Sequence, residues 1–483
     1  MLYSRRALIR SAATLALAAP ALKFLSGCAT AGPAGVGPKA SALELIPDPK
    51  GLLDLAPGLR YWVVSQTGDV MSDGLAEPGK HDGMATFPVA GEPDRCLIVR
   101  NHELGTDDGD AGIGAFGRDG AGASRIEPSL IYDRTPGGRP HSGGTTTLLV
   151  NTRTRRVERS HLSLAGTAVN CAGGPTPWGS WLSCEETELK AGDGGAKDHG
   201  FVFEVPAGAT GLVQPLALVD MGRFRHEAAA VDPATGVVYL TEDTGDSLLY
   251  RFLPSASGEL HKGGRLQALA ILDQPGADTR NWSAASGGDP AQTFQMGRRF
   301  GVRWIDLDAV QAPDGDLRMR GRAKGAAIFA RGEGMALAIE DGKAVIYFAC
   351  TSGGAAKKGQ IWRYTPSPEE GSASETASPG MAELFVESAG DQHFDHADNI
   401  VASPIGDLIV CEDGSGDEFV RAVTPAGLVY KIARNAHSRQ SEFAGACFSP
   451  DGSTMFVNIQ TPGVTLAITG DWKALRRQAE QAV

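Results

Sequence analysis

Acidic side chains recur in this sequence at two positions of a repeated unit. One set opens a short apolar segment: Cys171, Glu227, Glu333 and Asp398. The other follows a second, stronger apolar segment: Glu103, Glu185, Glu186, Glu242, Asp243, Glu412 and Asp413. If the two segments form a hairpin, both positions fall near one end of it. Around ten carboxylates gathered without cations would repel one another or take up protons. Hard cations with oxygen ligands, such as calcium or trivalent iron, resolve that conflict, and the thiol of Cys171 suits a transition metal better than calcium. Taken singly, each acidic residue reads better as a turn cap or a solvated loop carboxylate, and only the recurrence favours metal binding. Arg331 stands two residues before Glu333, so on a strand the two share a face. A guanidinium there would clamp phosphate oxygens bidentately or form a plain pair with a carboxylate.

The elements that must bring these residues together are short strands. Five segments align, at 171–186, 227–243, 333–351, 398–413 and 442–460, and a weaker sixth runs over 82–103. Each has a small-residue strand, a Pro/Gly/Asp turn and a stronger strand such as 237–240, 345–348, 408–410 or 455–457. A further strand closing on an aromatic follows at 201–206, 249–254, 361–366 and 428–432. Repetition of this kind predicts an all-β fold, a six-bladed β-propeller forming a single domain over 41–483 with long inter-blade loops, one near 276–297. In such a propeller the ends of the inner strands converge on one axis. A short helix is expected after Gly470.

Composition agrees with that architecture. Gly is frequent at 63 of 483 residues, Pro stands at 28, and 42% of residues are hydrophobic, enough for a folded core. The net charge of −12 and the lack of a Lys/Arg stripe argue against nucleic acid as a partner. No G-x-S-x-G elbow, Walker A loop or HExxH helix occurs. Residues 1–40 read as targeting segment and linker: Arg5-Arg6 before the apolar run 11–25 fits a twin-arginine signal, hence export to the periplasm or cell surface. Leu25-Ser26-Gly27-Cys28 fits a lipoprotein box, which would make Cys28 a lipid anchor and the chain's only link to a membrane. The other six cysteines lack regular spacing and read as buried thiols.

The ordered motifs resemble PhoX-type alkaline phosphatases. They are Asn101-His-Glu103, Gly143-Gly-Thr-Thr-Thr147, the stretch from Asn170-Cys171 to Trp178-Gly179, and Cys184-Glu-Glu186. Gly222-Arg-Phe-Arg-His-Glu-Ala228, Tyr239-Leu-Thr-Glu-Asp243, Arg331-Gly-Glu333, Asp398-Asn399, Cys411-Glu-Asp-Gly414 and 442–460 complete the set. The resemblance implies a monomeric exported phosphomonoesterase acting on small phosphate esters. Its site would hold two Fe3+ and two to three Ca2+ with a bridging oxo or hydroxide group that attacks phosphorus. Carried over residue by residue, Cys171 would ligate iron, Arg331 would hold the phosphate, and Glu333 would complete the reacting centre. The metal ligands would be Glu103, Cys171, Glu186, Glu227, Glu242, Asp243, Glu333, Asp398 and Glu412. Two alternatives are a non-catalytic calcium-binding scaffold and a metal-dependent propeller esterase or lactonase.

Overall fold

The computed structural model describes residues 38–105, 113–289 and 291–483. The paired arginines, the apolar run and Cys28 lie outside the described residues. The fold is all-β and propeller-like: antiparallel meanders surround an axis on which their first strands converge. One meander is His81–Pro88, Arg95–His102, Gly143–Asn151 and Arg156–Thr167. The next is Asn170–Pro175, Ser180–Glu185 and Val202–Pro206. Further along come Ala397–Ala402, Leu408–Glu412, Phe419–Val423 and Leu428–Asn435, the last flanked by Lys39–Ala40 and Leu53–Leu55. The last meander, Phe443–Phe448, Thr454–Ile459 and Val464–Thr469, is completed by Arg60–Gln66 from the other end of the chain. That pairing ties an early strand and the late strands of the described residues into one sheet, with Arg60–Gln66 as its outer edge.

Six separate blades were expected; the described residues instead form four separate sheets and one of nine strands. The nine-stranded sheet runs His226–Val231, Val238–Glu242, Tyr250–Pro254, Gly264–Ile271, Arg299–Asp306, Met381–Glu387, Gln360–Thr365, Lys343–Cys350 and Gly332–Glu340. Its cause is the strand Arg299–Asp306. Val302 to Asp306 pair with Ile271 to Gln267, whereas Arg299 to Gly301 pair with Glu383 to Met381. One strand thus welds two four-stranded meanders. The sheet curls until its two edge strands come together, and the Thr241 hydroxyl, on the strand next to one edge, donates to the Glu333 carbonyl on the other edge at 2.6 Å.

The sheets pack face to face through apolar side chains, with Leu182, Val202, Leu240 and Phe252 fully buried in one such layer. Burial of this kind contributes roughly 1.5–3 kcal/mol per large side chain. The turn at Asp232–Gly236 forms as expected, its Thr235 hydroxyl and Gly236 amide bonded back to Asp232 at 2.7 and 2.8 Å. So does the terminal helix, Trp472–Gln481, capped by Asp471 accepting from the Ala474 amide at 2.9 Å. The six described cysteines are buried and unpaired. Among the described residues no helix is long and apolar enough to cross a membrane.

A candidate metal centre at the axis

Every axial strand carries the same irregularity near its start. Register shifts fall between His81 and Met84, Asn170 and Gly173, His226 and Ala229, Gly332 and Met335, Ala397 and Ile400, and Ala444 and Cys447. A β-bulge inserts an extra residue and re-aims its side chain. The residues so placed are Asp82, Cys171, Glu227, Glu333 and Asp398, all buried; the sixth is Gly445, and Glu442 stands just upstream of it. Small residues follow in the chain, Gly83, Ala172, Ala228, Gly334 and Ala446, with Asn399 the exception. They let neighbouring backbones approach closely: a methyl on Gly334 would lie 2.5 Å from the Asp398 carbonyl.

This convergence gathers donor atoms. Cys171, Glu186 and Glu227 each offer one ligand atom within 4.8 Å of the others; so do Glu227, Glu333 and Asp398, and so do Asp398, Asp413 and Glu442. Glu227 and Asp398 are shared, so the three groups form one continuous array. Glu103 sits at its margin, joined to Asp82 by the Gln460 amide, which donates to Glu103 at 2.5 Å and to Asp82 at 3.3 Å.

The residues after the second strands divide by strand alternation. Glu186, Asp243 and Asp413 face the array, and their predecessors Glu185, Glu242 and Glu412 face away. Glu242 accepts from the Tyr250 hydroxyl at 2.9 Å and the Leu248 amide at 3.3 Å. Glu412 accepts from Arg421 Nε at 2.5 Å and the amides of Asp395 and Phe419 at 2.9 and 3.1 Å. Glu242 and Glu412, counted as metal ligands in the sequence, are therefore not brought to the array. They tie the hairpin end to the loop beside it, and Asp413 takes the place expected for Glu412.

A register of basic residues lies two residues before the bulged positions: Lys80, Arg225, Arg331 and His396, with Val169 at the Cys171 strand. Their carbonyls all accept from the residue after the second strand. The partners are the amides of Glu103, Asp243, Thr351 and Asp413, with Glu186 at Val169, at 2.8–3.1 Å. The Arg331 guanidinium is forked on Asp243, Nε to Oδ1 at 2.7 Å and Nη2 to Oδ2 at 3.0 Å, and Nη2 also reaches Glu333 at 2.8 Å. Arg225 pairs with Glu186 and stands 3.9 Å from Asp243. Both guanidiniums are partly exposed, at 43% for Arg225 and 35% for Arg331.

The electrostatics are those of a site short of positive charge. Burial, then the neighbouring carboxylates, lift Asp82, Glu227, Glu333 and Glu442 well above the ordinary carboxylate range. Burial pushes Glu186 up to about 8 and Asp398 up to about 7, and raises the Cys171 thiol. Asp243 is the exception: burial would raise it, but the Arg331 fork holds it below its usual value. Such groups ionise together only with cations among them. A carboxylate array with one thiol fits hard ions on oxygen and a transition ion at Cys171.

Asp82, Arg225, Asp413 and Glu442 belong to this centre and were absent from the ligands and catalytic residues expected from sequence. The first could have been found by aligning Asp82-Gly83 with Glu333-Gly334. Arg225 shows in the pattern base-x-acid shared by Lys80/Asp82, Arg225/Glu227, Arg331/Glu333 and His396/Asp398.

Known proteins place the chain further. A comparison with curated protein sequences finds no match. Among solved structures, Pseudomonas fluorescens PhoX in complex with vanadate, a transition state analogue, superposes with a TM-score of 0.62 at 18% identity, covering 90% of this chain and 98% of that one. A Xanthomonas campestris gluconolactonase covers 91% and 99% at 11% identity, with a TM-score of 0.40. The family model described as alkaline phosphatase PhoX matches residues 41–463. With that match over most of its length, the chain belongs to the PhoX alkaline phosphatase family.

Proposed function

We propose that this phosphatase hydrolyses phosphate monoesters at the axial array, with Fe3+ and Ca2+ held by Cys171, Glu186, Glu227, Glu333, Asp398, Asp413 and Glu442. The observation that carries the reading is the meeting of that array with two partly exposed guanidiniums on one carboxylate, Asp243. When bound, the ions supply charge neutralisation, Lewis-acid polarisation and a nucleophile at neutral pH. Arg225 and Arg331 supply planar N–H donors that match phosphate oxygens. Asp243 and Glu333 orient the Arg331 fork, so phosphate meets donors that are already aligned. Vanadate bound to Pseudomonas fluorescens PhoX as a transition state analogue supports phosphoryl chemistry in this family. The six-fold recurrence of the bulge supports counting the nine-stranded sheet as two joined blades, giving six units about the axis.

The test is turnover of p-nitrophenyl phosphate by the full chain beside Cys171→Ala and Arg331→Ala, with metal analysis of each. Loss of iron from the first and loss of rate from the second are expected. Equal rates in all three proteins would reject the site, and calcium without iron would favour a calcium scaffold. Export by the twin-arginine route is part of the proposal: replacing Arg5 and Arg6 by lysine should leave the enzyme in the cytoplasm.

A further inference from the structure

A second set of metal-ligating side chains lies outside the axial array. Asp133 and His141 flank one hairpin turn, where the His141 amide donates to the Asp133 carbonyl at 3.3 Å, and His199 enters from a second loop; one ligand atom of each lies within 4.8 Å of the others. Asp133 Oδ2 is 3.3 Å from His199 Nε2 and 3.8 Å from His141 Nε2. A tetrahedral ion held at about 2.0–2.2 Å by each donor separates its ligand atoms by roughly 3.4 Å. The imidazole edges cross at 4.9 Å between ring centroids, 67° apart.

Two observations independent of the clustering point to a ligand. His141 is 97% buried, since only 3% of it is exposed, and its Nε2 has no hydrogen-bond partner. A buried ring nitrogen left unpaired loses its hydration without compensation, and an ion would remove that cost. The surroundings are also those of held metal ligands. His199 Nδ1 is bonded to Glu185 Oε1 at 2.7 Å, which fixes the ring and leaves Nε2 turned to Asp133. Asp133 accepts from the amides of Ala196 and Lys197 at 3.1 and 2.9 Å. Gly195 passes so close that a methyl there would collide with Asp133 Oδ2 and lie 2.8 Å from His141 Nε2. A surface cleft lined by Tyr132, Asp133, Gly195 and Lys197 gives an entry path.

We infer that Asp133, His141 and His199 bind a divalent transition-metal ion, Zn2+ by preference, with three protein ligands. Nitrogen and oxygen donors without a thiol distinguish this site from the one at Cys171. Its place in the fold gives it a structural consequence. Glu185, which orients His199, directly precedes Glu186, so an ion here would brace the strand end that presents Glu186 to the axial array.

The test uses the full chain, stripped by chelator and titrated with Co2+ and with Zn2+. Cobalt at this site should give the visible d–d bands of a tetrahedral nitrogen and oxygen set, without the sulfur charge-transfer band expected at Cys171. Those bands should persist in Cys171→Ser and vanish in His141→Ala. The zinc content of His141→Ala should drop by the ion assigned to this site. If His141→Ala does not fold, Asp133→Asn and zinc K-edge spectroscopy of the unmodified chain replace it, with two imidazoles in the zinc shell expected. Identical spectra and zinc content in the unmodified chain and His141→Ala overturn the inference. So does a zinc-saturated protein in which nitrogen-15 NMR shows His199 carrying protons on both ring nitrogens, a salt bridge to Asp133 in place of an ion.

Discussion

The Arg331 guanidinium is forked on Asp243 through two hydrogen bonds of 2.7 and 3.0 Å, and the same carboxylate faces Arg225 at 3.9 Å. Asp243 therefore sets the distance between two guanidiniums. The fork needs an unusual backbone: Arg331 has φ of 56°, in the left-handed region, just before its strand begins. Lys80, Val169 and His396 hold φ of 43°, 51° and 54° at the matching position. The conformation recurs at these four strand starts, Arg225 being the exception, and it turns the basic register and the acid register toward one opening.

Replacing Arg331 by lysine keeps the charge and destroys the fork. Hydrogen bonds to charged groups contribute about 1.5–3 kcal/mol each, so kcat/KM of Arg331→Lys should fall by about 10- to 100-fold while metal content stays unchanged. Arg225→Lys should behave alike. Because both act through Asp243, the double variant should lose less than the product of the single losses. Steady-state kinetics over the cycle decides it; strict additivity would show that Asp243 does not couple the two.

Adjacent residues on opposite faces should separate metal binding from stability. Asp413→Asn removes an array donor and should lower metal content and activity, with little change in the unfolding midpoint measured in chelator. Glu412→Gln leaves Arg421 without its buried partner and should cost about 3 kcal/mol of stability with metal stoichiometry intact. Metal analysis beside urea unfolding separates them, and the reverse assignment of effects would contradict the alternation.

That pair also marks where the sequence could be read and where it could not. The strands, their turns and the convergence of acids on an axis follow from local patterns: apolar runs, Pro/Gly/Asp turns and recurrence. Which of two adjacent acids faces the axis follows from the register of a strand against its neighbours. A single bulge changes that register, and nothing in Cys411-Glu412-Asp413 itself announces it. The nine-stranded sheet was hidden for a similar reason, since pairing both meanders through Arg299–Asp306 depends on where a long connection returns. The metal-ligating cluster outside the axis was hidden too, since His199 joins the Asp133–His141 hairpin from more than fifty residues further along the chain.

Stability without bound ions should depend on pH in a direction opposite to ordinary acid denaturation. Burial and neighbouring acids hold Asp82, Glu227, Glu333 and Glu442 well above their ordinary values, with Glu186 at about 8 and Asp398 at about 7. At these groups the folded chain binds more protons than the unfolded chain, so their contribution to stability falls as pH rises from about 4 toward about 8. The buried His81, His102 and His226, which burial holds below the usual imidazole range, oppose it only up to about pH 6.5, so the fall in stability is read above that pH. Asp243, depressed by Arg331, works the other way, but only as pH falls below the ordinary carboxylate range. Ca2+ replaces those protons, so urea midpoints should drop with pH in chelator and stay flat in Ca2+. Matching slopes in the two conditions would count against cation binding by these carboxylates.

The close approach of two axial strands at Gly83 should control iron at Cys171. A methyl on Gly83 would lie 2.5 Å from Ala172 Cα and 2.9 Å from the Cys171 carbonyl, both backbone atoms. That backbone is also held from the other side: Asn101 Nδ2 donates to the carbonyls of Cys171 and Ala172 at 3.2 and 2.6 Å, and Trp181 Nε1 fixes Asn101 at 2.8 Å. The strand cannot yield without moving the thiol. Gly83→Ala should therefore lose iron and activity together, at a stability cost of about 1–3 kcal/mol. Gly208→Ala is the control, because a methyl there meets nothing within 4 Å. Iron analysis of both variants decides the matter: a Gly83→Ala protein with full iron and full turnover would mean that Cys171 is not positioned by the contact between these two strands.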